Sequence, residues 1–145
     1  MTTTTLAKKT LANIVPAMRY NDAKRATKWL CDAFGFEVKA LYEGKDGKVE
    51  HAQLTFGNGM IMIGSTGKNE FDKLIKQPGE IGGCETQSCY LIVDDADAHM
   101  KRAVAAGAEI LIDIKDEPYG GRDYTCRDFE GHIWNFGTYD PWNAK

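Results

Sequence analysis

The chain has 145 residues, 43% hydrophobic and 27% charged, with a net charge of −3. Such a chain can build one compact domain or two small modules sharing a core. It carries no basic stripe of the kind that phosphate backbones attract, which excludes a nucleic-acid partner. No run approaches the roughly 20 apolar residues of a membrane span, which argues against a membrane partner.

The N-terminal "MTTTTLAKKT" lacks the continuous apolar stretch of a secretory signal and is expected to be a frayed tail. Next comes "NIVPAMRY", residues 13–20, a short apolar strand ending at Asn21-Asp22, a helix N-cap signal. Ala26, Trp29, Leu30, Ala33 and Phe34 then recur at helical spacing, and Gly35 stops the helix. "FEVKALYE" reads as a strand, "GKDG" as a turn, "KVEHAQLTF" as a strand, "GNG" as a turn and "MIMIG" as a last strand. Residues 65–86 form a linker, with a short helix around 71–76.

The same order returns from Gln87. "QSCYLIV" is a strand capped by Asp94-Asp95, and Ala96, Met100, Ala103 and Val104 form a helical face ending at Gly107. "AEILIDI", "RDYTCRD" and "HIWNFG" are three further strands. The loop 118–121 and the turn "FEG" join them. The capping residues Asp22 and Asp95 lie 73 apart, as do the closing glycines Gly64 and Gly137. Two agreeing starts and two agreeing stops indicate a tandem duplication rather than a solenoid. Each module has four strands and one helix, so one sheet face takes the helix and the other is left to line a cavity.

Cysteines occur at 31, 84, 89 and 126, with no C-x-x-C pair and no zinc spacing. Buried thiols at Cys31 and Cys126 and a reducing, cytoplasmic location are expected.

Paired βαβββ modules, the D-x-x-G turn "DFEG" before the last strand, and the stretch "YGGRDYTCRDFEGHIWNFGTYDPW" resemble the glyoxalase / bleomycin resistance / dioxygenase superfamily, the vicinal oxygen chelate proteins, over roughly residues 13–142. The resemblance implies an α+β fold: two tandem βαβββ modules forming curved mixed sheets around a cavity, within a single domain spanning 1–145. Module one covers about 13–64 and module two about 87–138. In metal-dependent members each module offers one ligand from its first strand, usually His, and one from its last, usually Glu. Those positions fall here on Val15, Met62, Ser88 and Asn135, none of them a strong donor. A slip of one residue would bring in Cys89 but still no quartet. His51, His99 and His132 lie on three different elements and are read as surface or hydrogen-bonded histidines, with His99 facing solvent. No metal site, cofactor or catalytic residue is expected.

Strand alternation assigns the faces. Ala52, Leu54 and Phe56 point to the helix side, and His51, Gln53 and Thr55 to the cavity. In the last strand Ile133 and Asn135 face inward, while His132, Trp134 and Phe136 pack. Ala17 and Arg19, Ser88, Tyr90 and Ile92, and Asp123 and Thr125 join the cavity face. The candidate ligand-binding residues are Arg19, His51, Gln53, Tyr90, Asp123, Asn135 and Trp142. Arg19 either grips an anionic ligand or pairs internally with Asp123 or a glutamate. Tyr119, Tyr139 and Trp142 either stack on a planar ligand or close the end of the sheet or a dimer seam, the latter preferred for Tyr139. "GGR" at 120–122 is a turn that needs glycine.

These readings lead to a small-molecule-binding protein, metal-free and ligand-sequestering. It takes an unidentified aromatic or anionic ligand and works as a homodimer that buries an open sheet edge. A metal-dependent lyase, isomerase or dioxygenase of the same superfamily is the alternative, and an interaction module is the third choice.

Overall fold

The computed structural model describes residues 10–144. The tail expected at the N-terminus lies, apart from its last residue, outside the described residues. The described chain runs β1 (Ala17–Tyr20), α1 (Ala23–Phe34), β2 (Glu37–Glu43), β3 (Val49–Phe56), β4 (Gly59–Ser65), β5 (Cys89–Ile92), α2 (Ala96–Ala105), β6 (Glu109–Asp116), β7 (Arg122–Arg127) and β8 (Ile133–Gly137). The order strand, helix, three strands therefore occurs twice. Two compact units divide the chain: residues up to Cys31 with Gly35–Ser65, and Asp32–Phe34 with Thr66 onward.

In the first unit the strand order is β1-β4-β3-β2. β1 runs parallel to β4, with Ala17 opposite Met62, and the other pairings are antiparallel. The strand expected over 13–20 keeps only its last four residues, because Pro16 has no N–H for a ladder; its carbonyl still accepts from Met62 N at 2.9 Å. Alternation holds in β3: Ala52 and Leu54 are fully buried, while His51, Gln53 and Thr55 are half-buried on the other face. Val49 is also fully buried although it is three residues from Ala52. The register shift between Tyr42 opposite His51 and Glu43 opposite Val49 leaves Glu50 as an extra residue in β3 and allows that break in parity.

The second unit repeats the plan as β5-β8-β7-β6, with β5 parallel to β8 and Tyr90 opposite Asn135. Tyr124, Cys126, Trp134 and Phe136 are at most 1% exposed. Phe34 joins them, its ring centroid 4.7 Å from Phe136 and 5.5 Å from Trp134. The linker holds two short 3-10 helices, Phe71–Leu74 and Pro78–Ile81. The second was not expected; it is started by a reciprocal pair in which Gln77 and Glu80 satisfy each other's backbone N–H.

The duplicated caps work alike. Asp22 Oδ1 accepts from Arg25 N at 3.0 Å, and Asp95 Oδ1 accepts from Ala98 N at 3.0 Å. Each such bond satisfies one of the donors a helix start leaves orphaned. Gly35 closes α1 at φ 92°, a left-handed conformation that glycine adopts without steric cost.

The face of α2 needs one correction. Ala96 and Ala103 are buried, but Val104 is 48% exposed. His99, expected in solvent, takes the position between the two alanines and is half-buried. Its Nε2–H donates to Phe34 O at 2.8 Å, since a carbonyl can only accept, so Nδ1 accepts from the Tyr124 hydroxyl at 2.6 Å. The positions 96, 99 and 103 are one helical stripe; two polar partners inside the unit make a histidine acceptable there. Cys126 is buried as expected, whereas Cys31 is only half-buried.

Candidate functional site

The turn before β8 explains why "DFEG" is needed. Asp128 is 4% exposed. Its Oδ1 accepts from Glu130 N and His132 N, both at 3.0 Å, and its Oδ2 accepts from the Trp134 indole N–H at 3.0 Å. Gly131 completes the turn at φ 97°. One buried carboxylate thus spends both oxygens fixing the loop to the core. His132 is buried beside Glu85, whose other oxygen accepts from Ile133 N. It is a hydrogen-bonded histidine of the interior, as one of the two sequence readings allowed.

The open face of the first unit carries Arg19, His51, Gln53 and Met62. Arg19 is half-buried on β1. Its Nη1 passes 3.6 Å from where a Cβ on Gly64 would sit. The Gln53 amide nitrogen lies 3.2 Å from His51 Nε2. An amide nitrogen can only donate, so Nε2 accepts and the proton sits on Nδ1. The Tyr42 ring stands 5.9 Å away, tilted 34°.

On the second unit, Ser88, just before β5, comes together with Tyr90, Asp123, Thr125 and Asn135 on β5, β7 and β8. Asn135 is fully engaged: Oδ1 accepts from the Thr125 hydroxyl at 2.8 Å, and Nδ2 donates to Ser88 Oγ and to Cys89 O, each at 3.0 Å. Tyr90 and Asp123 meet over Gly137, where an added Cβ would lie 2.7 Å from the Tyr90 hydroxyl and 2.6 Å from Asp123 Cβ. The Tyr90 hydroxyl donates to Tyr139 O at 2.6 Å, and the Tyr119 hydroxyl donates to Asp123 Oδ2 at 3.1 Å. The rings of Tyr119 and Tyr139 meet edge-on, 5.0 Å apart at 87°. Gly121 at φ 79° lets that corner close, since a Cβ there would come within 2.6 Å of Tyr139 N. Trp142 is 89% exposed, with its backbone N–H held by Asp140 at 2.9 Å.

Sequence reasoning left Tyr119 between a stacking ring and a closing one and missed its bond to Asp123. The signal was present as a Tyr-x-x-x-Asp spacing across a glycine pair. Gly137 was read as the end of a strand, whereas it also provides the floor on which Asp123 and Tyr90 converge.

Desolvation, followed by the hydrogen bond to Asp123 and nearby negative charge, pushes the Tyr119 phenol up to about 12. Desolvation and then Asp123 also raise Tyr90. Burial, with Asp128 beside it, pushes the Cys126 thiol up to about 12, and burial with Glu85 raises Cys89. Both phenols and both thiols are therefore protonated at neutral pH, and neither thiol is an activated nucleophile.

The residues at the four superfamily ligand positions do not fit a divalent metal. Val15 and Met62 offer no hard or borderline donor, and the Asn135 carbonyl is already an acceptor for Thr125. Among the described residues, no three or more His, Cys, Asp and Glu side chains gather where a metal ion could sit.

Two βαβββ repeats, each with an Asp-capped helix and a parallel first-to-last strand pair, define the vicinal-oxygen-chelate class of folds. The sequence profile of the Glyoxalase/Bleomycin resistance protein/Dioxygenase superfamily matches residues 11–136, and the chain belongs to that superfamily. It is similar to TioX from Micromonospora sp. ML1, with 32% identity and a TM-score of 0.68 over 87% of this chain and 97% of that one. The fosfomycin resistance protein FosX from Mesorhizobium loti shares the fold, with 16% identity and a TM-score of 0.61 over 90% of this chain and 94% of that one. An uncharacterized protein of Mycobacterium tuberculosis is 29% identical over 129 residues, 86% of this chain and 75% of its own length.

Proposed function

We propose that this protein binds and sequesters a small molecule without a metal. The observation that carries the reading is the chemistry of the four ligand positions: two apolar side chains, one serine, and an asparagine whose amide is internally satisfied. Such positions can shape a pocket and supply neutral hydrogen bonds, but they cannot polarise a carbonyl or activate water as a bound cation does. Arg19, His51, Gln53, Tyr90, Asp123, Asn135 and Trp142 are its candidate ligand contacts. The working form is a homodimer in the cytoplasm, a location consistent with four cysteines that form no disulfide. No helix among the described residues is long and apolar enough to cross a membrane.

Elemental analysis of purified protein, joined to calorimetric titration with glycopeptide drugs and aromatic metabolites, tests the reading. Metal-free protein with a saturable ligand is expected. Superfamily membership favours one other reading, a metal-dependent lyase, isomerase or dioxygenase. Stoichiometric nickel, zinc, manganese or iron would establish that alternative instead. Light scattering of eluting protein checks the dimer, and a monomer mass at micromolar concentration would refute it.

A further inference from the structure

We propose that the open face of the second unit selects a positively charged aromatic ligand, an amine or a quaternary ammonium, through the Asp123 carboxylate and the rings of Tyr90, Tyr119 and Tyr139. The inference rests on the sequestration reading and names the chemical class of its ligand.

Asp123 has one hydrogen-bond donor, the Tyr119 hydroxyl on Oδ2. No lysine or arginine among the described residues is ion-paired with it; on this part of the unit Lys115 pairs with Glu117 at 3.8 Å, and Arg122 with Asp97 and Asp116. The carboxylate is half-buried, so its second oxygen loses part of its hydration without gaining a protein donor. That arrangement is costly unless a charged donor completes it. A second carboxylate, Asp140, is likewise ion-paired with no lysine or arginine among the described residues; its oxygens accept from Trp142 N and the Asn143 amide. The local field thus favours a cation and repels an anion.

The rings supply the rest of the recognition. Tyr119 and Tyr139 stand edge-to-face, and the Tyr90 hydroxyl is anchored to the Tyr139 carbonyl. The three rings are held before any ligand arrives, which lowers the ordering cost of binding. Aromatic faces attract ammonium groups, and a carboxylate among them adds direction. Gly137 keeps the floor open beneath Asp123 and Tyr90.

Titration of the full chain by NMR with benzyltrimethylammonium, benzyl alcohol and phenylacetate tests this. The ammonium compound is expected to bind roughly ten-fold tighter than the alcohol, and phenylacetate weakest. Asp123→Asn should bring the cation and the alcohol within about two-fold of each other. Tyr119→Ala, at a 59% exposed position, should weaken the cation several-fold with unchanged circular dichroism, and reads the site independently should Asp123→Asn not fold. The proposal is overturned by three results: no binding of the cation, a neutral or anionic probe binding as tightly, or cation binding indifferent to both substitutions. Charge-blind binding in metal-free protein would sink this inference alone. Stoichiometric metal would sink the sequestration reading, and a surviving charge preference would show that the subsite stands without it.

Discussion

The two modules share a backbone plan and diverge in what they place on it. The helix caps are the same residue making the same 3.0 Å bond. The closing glycines match in position but not in cause: a Cβ on Gly64 would lie 2.6 Å from the Glu50 carbonyl oxygen, whereas one on Gly137 would meet the side chains of Asp123 and Tyr90. In the first module the glycine makes room for backbone, and in the second for two side chains. The turns before the last strands differ as well. Gly57-Asn58 suffices between β3 and β4, but the loop before β8 is built around buried Asp128. At the positions where metal-dependent members carry ligands, module one is apolar, with Val15 and Met62, while in module two Ser88 and Asn135 join Thr125 in a closed network. Duplicated backbone instructions survive with small changes because caps, turns and alternation are local; the open faces are free to diverge because little of the fold depends on them.

Four tests would break or sharpen this contrast. The largest effect is expected at Trp134, which is 1% exposed and anchored by Asp128. Trp134→Ala should cost about 3–5 kcal/mol in urea unfolding, and Ile61→Ala, its counterpart 73 residues earlier, about 2–5 kcal/mol. A larger loss at Ile61 would show that the first module, not the second, holds the dominant core anchor. Asp128→Asn should cost about 1–3 kcal/mol by leaving a buried N–H poorly met; a neutral result would mean the β8 turn does not depend on the carboxylate.

The caps come next. Asp22→Ala and Asp95→Ala should each lower stability by about 1 kcal/mol, nearly equally. An effect confined to one of them would deny that the repeat is energetic as well as geometric.

The smallest effect concerns pH and has no counterpart in module one. Burial, and then the charge of Arg102, lower the His99 pKa, against a favourable bond to Phe34. The folded state then holds fewer protons than the unfolded one below about pH 6.5. The contribution is fully present above that pH and is lost as pH falls toward the lowered folded value. A single group such as His99 can add no more than about 1.4 kcal/mol per pH unit to the slope. Melting curves from pH 7.5 to 5.5 should fall less steeply for His99→Gln than for the parent chain. Parallel curves would refute the assignment.

Much of this was legible in the linear chain. The helix caps at Asp22 and Asp95, the strand faces in β3 and β8, and the need for glycine at 120–121 all follow from spacing and from backbone chemistry within a few residues. His99 was misplaced because helical periodicity tells which stripe a residue occupies and not which polar groups wait opposite. Phe34 lies 65 residues away and Tyr124 25 residues away. Arg19, His51, Gln53, Tyr90, Asp123 and Asn135 do lie on strands, as expected, but the partners of Tyr90, Asp123 and Asn135 were not foreseen, since they come from loops and other strands.

The amino-acid order alone determined the duplication, the boundaries of its elements to within a few residues, and the lack of strong donors at 15, 62, 88 and 135, because those depend on local spacing and side-chain type. Only the tertiary structure decided that Asn135 is internally satisfied while Asp123 is left with one donor among three tyrosines. That distinction depends on which side chains from separate strands arrive at the same few ångströms, and no local rule encodes it.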